Sequence, residues 1–168
     1  MQYLLDSNVF MEANNRYYGI DFCPAFWDWL LEKNNAKQVF SIAKVRKEFK
    51  DEPLKGWAKD NCSGNAFFLD PPEQAFQKNL TKIANWVNQN YDTDKIQEFL
   101  QGADYYLVAH ALAGNYVVVT QEVSNKSNGQ PSRNSKIKIP DVCEGVQVKS
   151  MNTFEMLKQE KARFVLET

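Results

Sequence analysis

Two carboxylates in the sequence stand at positions from which they could share one site. Asp6 directly follows the short apolar run from Tyr3 to Leu5, and Glu122 lies two residues after the apolar run that ends at Thr120. Short apolar runs of this kind are typical of buried strands. Because the carboxyl ends of parallel strands meet at one edge of a sheet, we expect Asp6 and Glu122 to lie close together.

Two further acids would complete the group. Asp104 falls in the first turn of a predicted helix that leads into the second strand, and Glu48 lies on a predicted helix after another extended segment. Like charges within about 4–6 Å raise one another's pKa, so such a cluster needs cations to stay ionised. Two Mg²⁺ or Mn²⁺ ions about 3.5–4 Å apart, held by carboxylates, can activate water and stabilise both oxygens of a phosphodiester displacement.

Each acid also has an ordinary structural explanation. Asp6 can cap a helix, and Asp104 near a helix N-terminus suits the helix dipole. Glu48 can pair with a neighbouring lysine at the surface, and Glu122 can be a solvated loop acid. The chemical interpretation therefore depends on the order and placement of all four acids together.

The apolar pattern alternates between short strands and amphipathic helices. Strands are predicted over 3–5, 39–42, 66–69 and 117–120 and near 146–148, with a turn at Pro140-Asp141 before the last of them. Helices are predicted over 9–11, 23–33, 45–49, 76–87, 96–100, 103–113 and 154–163, the first of them ending at Asn14-Asn15. This alternation predicts a single α/β domain over 1–168, a three-layer sandwich with a mainly parallel central sheet of about four or five strands.

Composition limits the compartments and partners. The chain carries 20 Lys and Arg against 21 Asp and Glu, so no global positive field gathers nucleic acid. Three widely spaced cysteines fit neither a disulfide framework nor a four-thiolate zinc site, which favours a reducing compartment. No stretch is long and apolar enough for a membrane span. We expect a cytoplasmic protein with no membrane partner.

Basic and aromatic side chains near the acids could contact a nucleic acid. The candidate substrate-binding residues flank Glu48 or lie in and just after the polar segment 121–135, and they are Lys44, Arg46, Lys47, Lys50, Lys126, Arg133, Lys136 and Lys138. An ordinary solvated surface carries the same residue types, so these residues could equally be surface residues with no role in substrate binding. Tyr17, Tyr18 and Trp57 could stack on unpaired bases, although most aromatic residues are expected in the core.

The sequence lacks the motifs of several other enzyme classes. None of the seven glycines falls in a nucleotide-binding fingerprint, and His110 has no sequence context that pairs it with a cysteine nucleophile. A phosphatase with an aspartyl nucleophile usually has a second acid two residues after the first, and Asn8 stands there.

Four segments together resemble the PIN domain family of metal-dependent ribonucleases, many of which are toxins of toxin–antitoxin pairs. The segments are YLLDSN at 3–8, VRKE at 45–48, GAD at 102–104 with its Ala-rich continuation to 113, and VVVTQE at 117–122. The resemblance spans nearly the whole chain. A fifth segment, KIPDVC at 138–143, is similar to a less characterised PIN subfamily.

The resemblance implies roles for individual residues. Asp6, Glu48 and Asp104 correspond to the metal-binding acids of the family, and Ser7 or Asn8 corresponds to the small polar residue that supports the first acid. These acids would hold the ions without acting as nucleophiles.

The fourth acid departs from the family pattern. Glu122 stands where the family more often has Asp, with Thr120 as a supporting residue two positions earlier. The extra methylene shifts the carboxylate by more than a metal–ligand distance tolerates unless the backbone retreats. Asp141 is therefore an alternative ligand, although an acid after Pro140 also suits a turn or a helix cap.

The resemblance thus implies a metal-dependent endoribonuclease that uses Mg²⁺ or Mn²⁺ and cleaves RNA. As a toxin it would have an antitoxin partner, and we expect a homodimer because most soluble oligomers are closed and symmetric. Two alternatives stay open. One is a binding or scaffold subunit that has lost efficient hydrolysis, since a fold alone does not establish activity. The other is a nuclease directed at DNA.

Overall fold

Five parallel strands form the centre of the molecule. In the computed structural model, which describes residues 1–63, 66–72 and 76–165, neighbouring strands pair in the order β3-β2-β1-β4-β5. The strands are β1 (Tyr3–Leu5), β2 (Val39–Ile42), β3 (Phe68–Leu69), β4 (Val117–Val119) and β5 (Ser150–Met151). Helices flank the sheet, so the predicted α/β sandwich with a parallel sheet is confirmed.

The helices connect these strands. They are α1 (Ser7–Glu12), α2 (Pro24–Asn35), α3 (Ala43–Arg46), α4 (Glu52–Cys62), α5 (Phe76–Asn90), α6 (Thr93–Gln101), α7 (Ala103–Gly114), α8 (Ile139–Val146) and α9 (Thr153–Gln159), and a π-helical segment, Ala13–Tyr17, follows α1. The helices predicted over 76–87, 96–100 and 103–113 are confirmed by α5, α6 and α7. Within the described ranges, no helix is long and apolar enough to span a bilayer.

Strand β1 lies in the middle of the sheet. Tyr3 pairs with Val39 on one side and with Val117 on the other, and every residue of β1 is buried. Apolar side chains on both faces are typical of a parallel strand that helices cover. The chain builds β2 and β3 on one side of β1 and then returns to build β4 and β5 on the other. The strand order therefore reverses between β1 and β4, and ligands bind preferentially beyond the carboxyl ends of strands at such a point.

Two predicted boundaries in the first third of the chain are wrong. The helix predicted over 45–49 ends at Arg46, so Glu48 lies in the turn after α3. Asn14 and Asn15 do not end the first helix, because the chain continues through them as the π-helical segment. Ala13 is buried at the start of this segment, and its packing outweighs the turn preference of the two asparagines.

Two predicted features near the end of the chain are also wrong. The predicted turn at Pro140-Asp141 is the first turn of α8, which begins at Ile139. Proline suits this place because the first N–H groups of a helix have no partner within the helix. Gln147 ends α8 in the left-handed conformation with φ 65°, and the last strand consequently forms at Ser150–Met151 instead of 146–148.

Trp57, one of the three aromatic residues predicted to contact bases, is buried in the core. Its ring centre lies 6.0 Å from that of Phe10 and 5.0 Å from that of Trp27, and Phe10 also packs against Phe49 at 5.2 Å. Helix α4 turns its apolar residues inward, and only 7% of Trp57 is exposed. The prediction for Trp57 is therefore wrong.

The close packing of α8 on α5 depends on a glycine. A Cβ atom at Gly145 would lie 2.0 Å from Cε2 of Trp86, whereas a Cβ atom at Gly56 in α4 would meet nothing within 4 Å. We expect Gly145→Ala to lower the free energy of unfolding by about 1–3 kcal/mol, because the indole must move. Gly56→Ala, the matched control, should raise it by about 0.5–1 kcal/mol through the loss of backbone freedom in the unfolded chain.

Urea unfolding of both variants beside the wild type measures these differences. A Gly145→Ala protein as stable as the wild type would show that Trp86 moves aside freely and that this contact does not set the position of α8.

Candidate functional site

Asp6 is held rigidly at the end of β1. It is 2% exposed, its Oδ1 accepts a hydrogen bond from the backbone N–H of Ser7 (2.7 Å), and its Oδ2 accepts one from the Thr120 hydroxyl (2.8 Å). The backbone N–H of Asp6 donates to the carbonyl of Val119 at 2.9 Å. Asp6 therefore caps α1, as the structural explanation predicts, and its carboxylate also faces the end of β4.

The hydroxyl of Thr120 joins the two central strands. Its oxygen accepts hydrogen bonds from Asn8 Nδ2 (3.0 Å) and from the backbone N–H of Glu122 (3.1 Å), while the hydroxyl donates to Asp6. The side-chain carbonyl of Asn8 accepts from the backbone N–H of Gln121 at 2.9 Å. The predicted supporting residues Asn8 and Thr120 thus act through side chains, whereas Ser7 contributes chiefly its backbone N–H.

Burial and neighbouring acids alter the protonation of Asp6. Burial is the largest cause that raises its pKa to about 7, followed by the charge of Asp104, with a smaller effect from Glu122. The hydrogen bonds from Thr120 and Ser7 act in the opposite direction. The charges of Asp104 and Glu122 thus reach the carboxyl group of Asp6.

Asp104 shows the same behaviour from the start of α7. Its pKa rises to about 6, first because of burial and then because of the charges of Glu122 and Glu48. Lys136 and Lys138 lower the pKa of Asp104. Asp6 thus responds to the charges of Asp104 and Glu122, and Asp104 to those of Glu122, Glu48 and the two predicted lysines.

Glu122 faces the N-terminus of α8. Its Oε1 lies 3.0 Å from Lys138 Nζ, and its Oε2 accepts a hydrogen bond from the backbone N–H of Ile139 at 2.8 Å. The extra methylene of glutamate lets the carboxylate reach these donors, where the helix dipole also favours negative charge. Among the described residues, no three acidic, histidine or cysteine side chains stand in the arrangement of a completed ion site.

Asp141 lies in the first turn of α8. It is fully buried, and its Oδ2 accepts from the backbone N–H of Asn125 at 3.4 Å. Burial and then the charge of Asp141 raise the pKa of Tyr91 to about 12. Within the described part of the chain, the other oxygen of Asp141 and the Tyr91 hydroxyl have no hydrogen-bond partner. Asp141 therefore acts on Tyr91 and Asn125, and its role as an alternative ligand stays a prediction.

The predicted substrate-binding residues of the polar segment contact the protein itself. Lys126 pairs with Glu144 of α8 at 2.7 Å, and Arg133 pairs with Asp92 at 3.3 Å and donates to the carbonyl of Gln89. These bonds attach the segment between β4 and α8 to the surrounding helices. Lys126 and Arg133 thus have structural roles in the fold.

The three basic residues around α3 differ in their surroundings. Lys44 Nζ lies 3.8 Å from the ring centre of Tyr106, and the guanidinium of Arg46 lies 5.7 Å from that of Phe68. Lys47 is exposed in the turn after α3. Of the three, Lys47 thus has the most exposed position.

Two openings meet at the acids. A groove of about 580 Å³ is lined by Thr120 and Glu122, and a cleft of about 220 Å³ is lined by Glu48, Asp104 and Lys136. Glu122 of the groove also raises the pKa of Asp104 in the cleft. The site thus has room for an extended ligand on either side of the acids.

The extent of the domain follows from comparison with known families. A family model described as "Domain of unknown function (DUF4411)" matches residues 3–164. The chain belongs to the DUF4411 family. No curated protein and no solved structure matches it. All the acids of this DUF4411 domain that are discussed above lie within the matched residues.

The two lysines that act on Asp104 in the DUF4411 domain, Lys136 and Lys138, are among the substrate-binding residues that the sequence predicts. They alternate with Ile137 and Ile139, and both isoleucines are buried. Side chains two residues apart in an extended segment lie on the same face. The alternation therefore places both lysines on one face of this segment.

Removal of the Asp104 charge should stabilise the protein in a pH-dependent way. The native pKa of about 6 lies above the ordinary value of 3.8, so the native state binds the proton more tightly than the unfolded chain. The stability that protonated Asp104 contributes to the native state is fully present below about pH 3.8, and it is lost as the pH rises through 6. In metal-free buffer near pH 8, we expect the free energy of unfolding of Asp104→Asn to exceed that of the wild type by on the order of 1–2 kcal/mol. This difference should vanish near pH 4.

Thermal unfolding with EDTA between pH 4 and pH 8 measures this difference. Asp28→Asn, on the exposed surface of α2, is the matched control and should show no such trend. A destabilised Asp104→Asn protein near pH 8 would mean that attraction by the lysines exceeds the repulsion by the acids.

Proposed function

We propose that this DUF4411 domain is a metal-dependent endoribonuclease that hydrolyses phosphodiester bonds in RNA. One observation carries the proposal: carboxylates from four separate segments act on one another at the end of the sheet, and the pKa values of Asp6 and Asp104 are raised. Strongly shifted pKa values beside a cleft are typical of functional sites. The resemblance of the sequence to PIN ribonucleases supports the same reaction.

The donor set suits a hard divalent cation. Asp6, Glu48 and Asp104 would hold the ion, with Glu122 on the side of the groove. Asp6 Oδ1 accepts from the N–H of Ser7 and, at 3.5 Å, from its hydroxyl, whereas Oδ2 accepts only from Thr120 and so retains a lone pair for a ligand bond. A bound Mg²⁺ or Mn²⁺ would activate water and stabilise negative charge on the phosphate. The ion would also relieve the repulsion among the acids.

Groups of the chain itself orient these acids. The Thr120 hydroxyl and the Ser7 N–H fix the rotation of the Asp6 carboxylate, and Lys138 and the Ile139 N–H fix that of Glu122. Hydrogen bonds behind metal ligands commonly preserve ligand geometry and affinity. The site is thereby organised before an ion binds.

Lysines beside the acids offer contacts for phosphates. Lys95 and Lys136 line the cleft that contains Asp104. Since the whole chain has a formal net charge of −1, attraction of a polyanion has to be local. We infer that the substrate backbone enters along this cleft.

The biological setting follows from the PIN resemblance. We propose a cytoplasmic enzyme that cleaves RNA rather than DNA, acts as the toxin of a toxin–antitoxin pair and forms a homodimer. An antitoxin would cover the acids and so prevent entry of RNA.

A second candidate is a binding subunit without hydrolysis. One observation favours it: both oxygens of Glu122 have partners in the protein, Lys138 and the N–H of Ile139. If these bonds persist, Glu122 does not contribute to a second ion position, and the two-ion reaction is weakened.

Cleavage of a mixed panel of single-stranded RNA with Mg²⁺, Mn²⁺ or EDTA tests the enzymatic proposal. We expect cleavage that requires a metal and falls by at least about 100-fold in Asp104→Asn and in Glu48→Gln, because each change removes a metal ligand. Asp28→Asn is the matched control and should cleave as the wild type does. A parallel panel of single-stranded DNA separates the two classes of nuclease.

The outcomes distinguish the two candidates. Activity that survives in Asp104→Asn would overturn the proposed site. Inactivity of every protein with both metals, together with RNA binding that the acid substitutions leave unchanged, would favour the binding subunit.

Metal binding can be measured without activity. We expect Mn²⁺ to raise the thermal stability of the wild type progressively, by about 2.7 kcal/mol when its concentration reaches 100 times the dissociation constant. Asp104→Asn should respond much less, and Asp28→Asn should respond as the wild type does. Equal responses of all three proteins would place any bound ion elsewhere.

A further inference from the structure

The groove beside Glu122 collects exposed apolar side chains. Tyr17 is 46% exposed, Val123 77% and Phe154 37%, and all three line this groove at the carboxyl ends of β4 and β5. Exposed apolar residues that are scattered singly over a surface need no explanation, whereas several in one groove indicate a binding surface. The groove also continues directly to the acids, because Thr120 and Glu122 form part of its wall.

Two aromatic rings from different elements meet in this groove. The ring centres of Tyr17 and Phe154 lie 5.2 Å apart with an angle of 83° between the planes. Such an edge-to-face pair leaves ring faces open to a third flat group. Every nucleobase has a flat π-face, and stacking on aromatic side chains is the usual way in which proteins hold unpaired bases.

The backbone fixes both rings in place. Tyr17 ends the π-helical segment, a rare element that is often found at functional sites. Phe154 stands in the first turn of α9, where Asn152 and Glu155 form a reciprocal capping box. A ring carried on a capped helix start loses little freedom when it binds a ligand.

The groove is lined by three acids, Glu12, Glu122 and Glu155, and by one cation, Arg16. Glu12 pairs with Arg16 at 3.4 Å, and the carboxylate of Glu155 accepts from the backbone N–H of Asn152. Glu122 pairs with Lys138. A neutral flat group therefore suits this groove better than a phosphate, and the phosphates suit the lysine-lined cleft on the other side of the acids.

We propose that the groove binds an unpaired nucleobase of the substrate strand, stacked on Tyr17 and Phe154, next to the bond that is cleaved. This inference rests on the proposed nuclease function and adds a subsite to it. The other predicted stacking residue, Tyr18, is half-buried with its ring 4.6 Å from that of Phe26 and does not line the groove.

Binding of a short single-stranded RNA to the Asp104→Asn protein, followed by fluorescence anisotropy, tests the subsite without cleavage. In this background we expect Tyr17→Leu with Phe154→Leu to weaken binding about 10-fold, because the ring faces are lost. The same RNA without bases should bind weakly and equally to both proteins. Tyr17→Phe retains the ring and should restore most of the affinity. Phe22→Leu, which removes a ring that is 72% exposed outside the groove, is the matched control.

Cleavage kinetics then separate this inference from the function on which it rests. In the otherwise wild-type protein, the two leucine substitutions should raise KM about 10-fold and change kcat much less. Metal-dependent cleavage with an unchanged KM, or an equal loss of affinity for RNA without bases, would overturn the stacking subsite and leave the nuclease intact. Binding of a basic apolar peptide but of no RNA would overturn both.

Discussion

The position of β1 between β2 and β4 is the constraint on which the site depends. Because all three strands run in the same direction, the residues that follow β1 and β4 leave the sheet at one edge. Asp6 and Thr120 therefore meet within hydrogen-bond distance although 114 positions separate them. Glu122 lines the groove, and Glu48 and Asp104 line the cleft.

The arrangement of the acids opposes the stability of the fold. Asp6 is buried and Asp104 is half-buried, and burial together with the charges of other carboxylates raises the pKa of each. Local rules of protein stability are most often violated at functional sites, where a ligand restores the balance. The carboxylate of Glu122 instead has a cationic partner, Lys138, and a donor at the start of α8, the N–H of Ile139.

Much of the fold could be predicted from patterns within short segments. Continuous apolar runs predict β1, β2 and β4, and helical spacing predicts α5. The predictions were wrong where distant packing decided the outcome. The π-helical segment replaces the stop predicted at Asn14, and α8 replaces the turn predicted at Asp141. Trp57 is a core residue because α4 packs against Phe10, which no local pattern around Trp57 reveals.

The sequence by itself determined which residue types follow each strand, and the rule for parallel strands was enough to predict that Asp6 and Glu122 leave the sheet at one edge. Only the tertiary structure decided the direction in which each carboxylate points. Glu122 and Asp141 illustrate the difference, since Glu122 reaches the start of α8 and Asp141 faces Tyr91 in the interior. These orientations depend on donors and burial supplied by segments distant in the chain, and such contacts have no signature in the local sequence.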